Sequence, residues 1–82
     1  MESEMTSLEY KMALQKKYPP LSDEELDNLT PEQNKARIDG YNDGRGTGDI
    51  LEAMENQVPD KQEGGKLFKY WFDGACEGVY DY

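Results

Sequence analysis

Ala36-Arg37-Ile38-Asp39-Gly40-Tyr41-Asn42-Asp43-Gly44-Arg45-Gly46-Thr47-Gly48 carries a small residue at every fourth position, and residues four apart on a helix share one face. The spacing returns in Gly74 and Gly78, just after the only tryptophan, Trp71. A glycine in a helix interior costs about 1 kcal/mol relative to alanine. Repeating it on one face therefore implies that a second backbone comes very close there. The expected architecture is all-α: a small bundle of three to four helices built on a glycine-mediated close pair. Ala36, Gly40 and Gly44 lie on one partner of that pair, and Trp71, Gly74 and Gly78 on the other.

Outward from this stripe, capping residues and prolines divide the chain. Thr30-Pro31-Glu32-Gln33 is the clearest helix start, with a capping threonine, proline at the first helical position and Gln33 at the third. Upstream, Ser22 with Glu25 has the capping-box spacing and opens a short acidic turn, which Leu21, Leu26 and Leu29 can tack onto a core. The first segment, Ser7 to Tyr18, reads as an amphipathic helix with Thr6 or Ser7 as its cap. It places Met5, Leu8 and Met12 on one stripe with Leu14 and Tyr18 beside it, and Pro19-Pro20 ends it. Residues 1–20 thus form an N-terminal helix and 21–48 the capped, glycine-striped helix.

Downstream, Gly46 lies off the stripe and argues for a break in the Gly44–Gly48 run. Asp49 then caps a short helix within 49–60, with Ile50, Leu51, Met54 and Val58 at helical spacing until Pro59. Residues 61–82 start with a flexible Gln62-Glu63-Gly64-Gly65 connection. From Lys66 an aromatic segment follows, for which a strand is the rival because Phe, Tyr and Trp favour strands. Helix is preferred, since Leu67, Trp71, Gly74 and Gly78 follow the i, i+4, i+7, i+11 rule.

The chain is one small domain of 82 residues with 18 acidic and 9 basic side chains, a net charge of −9. That balance argues against direct binding to DNA, RNA or an anionic membrane and points to a protein partner with a basic surface, although negative charge also simply maintains solubility. One cysteine excludes an internal disulfide, and the lack of histidine removes the usual structural zinc ligands. The N-terminus has no apolar leader-like region and no apolar run approaches bilayer length. The expected location is cytoplasmic.

Gly44-x-Gly46-x-Gly48 invites a phosphate-binding interpretation, but no strand precedes it and no Gly-Lys-Ser/Thr follows. Asp39, Asp43, Gly44, Asp49 and Glu52 invite a calcium loop. With Gly44 at the turning position, however, the bidentate twelfth ligand falls on Ile50. With no histidine, and with Cys76 in an aromatic segment expected to be buried, no imidazole-activated nucleophile can be assembled. No cofactor is implied, and the chain is expected not to be an enzyme.

The skeleton Ala36-x-x-x-Gly40-Tyr41-x-x-Gly44, a proline-containing connection, and Trp71-x-x-Gly74-x-x-x-Gly78 resembles the two-helix pattern of ribosome modulation factor and related small phage and bacterial proteins. It covers about half of the chain. In that family the pair is basic and binds ribosomal RNA, so the resemblance implies ribosome association and inactivation, with Lys66, Lys69, Arg37 and Arg45 beside stacking aromatics. The chain departs from the family in its charge, in lacking Cys-Pro-Tyr in the connection, and in its acidic N-terminal third.

The leading functional expectation is an inhibitor or modulator, of phage type, that acts as a nucleic-acid mimic. Its carboxylates would occupy the site where a partner protein normally holds phosphates. Asp39, Asp43, Asp49, Glu52 and Glu55 flank the glycine stripe and are the candidate contacts, against the alternative of a solvated helix surface. A ribosome-associated factor is the second expectation. A structural or assembly subunit that self-associates through Phe68, Phe72, Tyr80 and Tyr82 is the third.

Overall fold

The computed structural model describes residues 6–55 and 57–82. Among these residues five α-helices follow one another: α1 (Ser7–Lys17), α2 (Asp23–Asp27), α3 (Pro31–Thr47), α4 (Ile50–Glu55) and α5 (Phe68–Tyr80), with a 3-10 turn at Pro59–Lys61 before α5. Among the described residues there is no strand, and the aromatic segment is a helix.

The helix starts are set by local side-chain chemistry. Thr6, Ser22 and Thr30 each accept a hydrogen bond from the backbone N–H three residues on, while Glu9, Glu25 and Gln33 accept the cap residue's own N–H. These three capping boxes satisfy donors that would otherwise have no partner in the first turns.

α3 and α5 form the centre of the molecule. A Cβ added at Gly40 would fall on the Trp71 carbonyl, and one at Gly44 on the Ala75 carbonyl. In the other direction, a Cβ at Gly74 would strike the carbonyl of Arg37, and one at Gly78 that of Tyr41. The four glycines are therefore reciprocal. Each helix presses its main chain into the gap left by the missing side chains of the other, and buried Ala36 extends the face by one turn.

α3 also corrects the expectation of a break at Gly46. The helix continues through Gly46 and stops at Gly48, whose φ of 69° is the left-handed conformation that glycine adopts without penalty. Gly46 is exposed with nothing near its missing side chain, so its helical cost is carried by the contacts at Gly44 one turn-half earlier. Just past the stop, the Asp49 N–H donates to the Thr47 hydroxyl at 3.2 Å.

The apolar core is built around the same stretch of α5. Phe68, Trp71 and Phe72 are almost fully buried, with Ile50, Ala53, Leu14 and Leu67 around them. The Tyr18 ring meets Phe68 edge-on at 5.1 Å and Phe72 at 6.4 Å. Burial of each phenylalanine and of Ile50 contributes roughly 1.5–3 kcal/mol.

The inward stripe of α1 also differs from expectation. Leu14 is buried with Tyr10 and Tyr18 packed beside it, whereas Leu8 and Met12 are 62% and 53% exposed. At 100° per residue Leu8 lies about 120° around the helix from Leu14. The helix can therefore bury only one of the two stripes, and the aromatic one wins because tyrosine rings supply more contact area against Phe68 and Phe72. Met5, assigned to the other stripe, lies outside the described residues. α4 (Ile50–Glu55) does not extend to Val58. Val58 is extended, with φ −69° and ψ 158°, the conformation favoured by a residue that precedes proline. Among the described residues no helix is long and apolar enough to cross a membrane.

Candidate functional site: the carboxylate face of α4

The five candidate carboxylates divide into two groups. Asp39, Asp43 and Asp49 are half-buried and serve the fold, while Glu52 and Glu55 stand exposed on α4.

Asp39 Oδ2 accepts from Lys61 Nζ at 2.7 Å and lies 3.6 Å from Lys35 Nζ. The Lys61 hydrogen bond, helped by the charges of Lys61 and Lys35, holds its pKa below the ordinary carboxylate value against the opposing effect of burial. Asp43 Oδ2 accepts from the indole Nε1–H of Trp71 at 3.1 Å and from Gln57 Nε2 at 2.8 Å. A buried tryptophan needs a partner for its N–H, and Asp43 supplies it across the helix pair. Asp49 Oδ1 accepts from the backbone N–H groups of Leu51 at 2.8 Å and Glu52 at 3.3 Å, which makes it the cap of α4.

α4 presents a different chemistry outward. Ile50 and Ala53 point into the core, which leaves Leu51, Glu52 and Glu55 exposed, with exposed Val58 just beyond. Between α4 and α1 runs an open groove of about 400 Å³, lined by Tyr10, Leu51, Met54, Glu55, Gln62 and Glu63. The Tyr10 hydroxyl donates to Glu63 Oε1 at 2.9 Å, and Lys17 Nζ donates to Glu63 Oε2 at 3.2 Å.

The cations are mostly turned to internal use. Among the described residues, ion pairs engage Lys17, Lys35, Arg37, Lys61, Lys66 and Lys69. Arg37 bridges Asp73 at 2.8 Å and Glu77 at 3.4 Å, and Asp73 also accepts the Leu21 N–H at 3.3 Å, which fastens the strap leading into α2. Lys69 holds Glu25 of α2 at 2.8 Å. Three of the four cations that RNA contact would use thus face carboxylates of the chain itself.

Other functional possibilities meet the same geometry. The Gly44–Gly48 run is the last turn and C-cap of α3 rather than a phosphate-cradling loop. Burial pushes the Cys76 thiol up to about 11, so it stays protonated at neutral pH. Phe68 and Phe72 lie in the core and cannot belong to a surface patch, whereas Tyr80 and Tyr82 are exposed. Among the described residues, no group of three or more cysteine, aspartate or glutamate side chains is placed to hold a metal ion.

Comparison with protein-family models, curated proteins and solved structures found no match to this chain.

The role of Asp43 as the indole partner is missed by sequence reasoning, although a signal exists. Once Gly40 is set against Trp71, Asp43 comes one turn along the same side of α3, within reach of that ring. Tyr10 and Glu63, 53 residues apart, carry no comparable signal, because their meeting depends on which stripe of α1 turns inward.

Proposed function

We propose that this chain is a non-enzymatic acidic interaction protein that inhibits or modulates a nucleic-acid-binding protein by presenting carboxylates to its basic surface. The observation that carries the proposal is the asymmetry of charge use. Most of the cations are held in internal ion pairs, while Glu52 and Glu55, with Asp23, Glu24 and Asp27 of α2, face solvent. A net charge of −9 on 82 residues projects a negative field. Of the five carboxylates expected at the contact, Glu52 and Glu55 keep that role. Asp39, Asp43 and Asp49 support the surface from below.

Ribosome association is the weaker alternative. The close α3–α5 pair favours it, and the internal pairing of Arg37, Lys66 and Lys69 counts against it.

The test is competition. The protein immobilised in a native extract should retain a basic nucleic-acid-binding protein that duplex DNA displaces and that about 1 M salt releases, since a Debye length near 3 Å screens such contacts. The double reversal Glu52→Lys, Glu55→Lys should abolish retention while leaving the fold intact. Retention that survives high salt and is indifferent to DNA would overturn the proposal, and cosedimentation with ribosomes in its place would favour the alternative.

A further inference from the structure

The geometry points to the groove between α1 and α4 as the receptor for a basic amphipathic segment of the partner, with an apolar side chain on the groove floor and a lysine or arginine at its rim. This inference rests on the function proposed above and adds the site and the chemistry of the occupant.

The floor is apolar: the Tyr10 ring, Met54 and the partly exposed Leu51. Its rim is acidic, with Glu55 from α4 on one side and Glu63 from the connection to α5 on the other. Glu52 lies three residues from Glu55 on the same helix, so the acidic rim continues along the outer face of α4. An apolar floor with carboxylates around it suits a side chain with an aliphatic stem and a cationic head, which lays its methylenes on the floor and keeps its charge at the edge.

Lys17 already brings a cation to one of these carboxylates within the molecule. It reaches across from the end of α1 to Glu63 with its own side chain 67% exposed, so it is an internal cation resting on the rim and held there by little. Glu63 Oε1 is meanwhile oriented by the Tyr10 hydroxyl. A cation from outside would contact Glu55 directly and compete with Lys17 for Glu63.

Charge also decides the occupant. A second copy of this chain would bring another −9 to an acidic rim, and a nucleic acid or anionic lipid would be repelled in the same way. A cationic segment from a different protein is complementary, and the apolar floor selects one that is amphipathic rather than merely charged.

The experiment uses two labelled synthetic helical peptides of equal positive charge, one pairing lysines with a leucine face and the other pairing them with a serine face. Their binding to the full chain is read by fluorescence anisotropy. The leucine peptide should bind more tightly. Leu51→Gln and Glu55→Gln, both at exposed positions, should weaken it by roughly 3- to 10-fold, and Lys17→Met should tighten it by removing the internal competitor. If both peptides bind equally and Leu51→Gln changes nothing, the groove is not the receptor while the acidic-surface function stands. If neither peptide binds at low salt, both proposals fall. If Lys17→Met weakens binding, Lys17 is a contact rather than a competitor, and the rim assignment is wrong.

Discussion

At the scale of single residues, the carboxylates do two different jobs that their sequence positions do not separate. Asp39 and Glu55 look alike in the chain, yet one holds Lys61 at 2.7 Å and the other faces solvent. The difference has a consequence in pH. The Lys61 hydrogen bond lowers the pKa of Asp39 in the folded protein relative to the unfolded chain. Its contribution to stability is therefore fully present above the ordinary carboxylate range and is lost as pH falls through the lower folded value. Lys61→Met should be less stable than the parent in urea at neutral pH, and the gap should close in acid. A gap that persists at low pH would show that Lys61 acts through its packing instead. Capping residues were legible in advance because a cap bonds to its own neighbours. Pairings such as Asp43 with Trp71 were not, because they need the register of two helices.

At the scale of elements, the clearest correction is the rotation of α1. Hydrophobic spacing put Met5, Leu8 and Met12 on one stripe with Leu14 and Tyr18 beside it, and a sequence alone does not say which part of so broad a face meets the core. The choice is made by Phe68 and Phe72, which lie 50 and 54 residues from Tyr18 and accept its ring edge-on. Leu8→Gln and Met12→Gln, at exposed positions, should change stability by no more than about 0.5 kcal/mol. Leu14→Ala should cost about 2–5 kcal/mol through a lost contact and the cavity left behind. Chemical denaturation of the three variants checks the orientation directly. Equal losses for Leu8 and Leu14 would mean that both stripes are covered. The turn of α1 also bears on the proposed receptor groove, because it brings Tyr10 into its lining and Lys17 to Glu63. That Val58 lies outside α4 follows from Pro59, which disfavours helical geometry in the residue before it.

At the scale of the whole molecule, a small chain with few apolar residues obtains its core by bringing two main chains together. α3 and α5 meet through four reciprocal glycine contacts, and this places Trp71, Phe68 and Phe72 where the short helices can cover them. This part of the fold was legible because glycine spacing survives any uncertainty about loops. The break expected at Gly46 was not avoided by the same logic, as spacing ranks faces but does not weigh one exposed glycine against the tertiary contact beside it. The most direct test compares Gly44→Ala with Gly46→Ala in urea unfolding, one substitution at two sites two residues apart on one helix. Gly44→Ala should destabilise by about 1–3 kcal/mol because its Cβ would meet the backbone of α5 at Ala75. Gly46→Ala should stabilise by up to about 1 kcal/mol because nothing lies near it and alanine is the better helix former. If the two variants shift the unfolding midpoint in the same direction and by the same amount, α3 and α5 are not packed backbone to backbone.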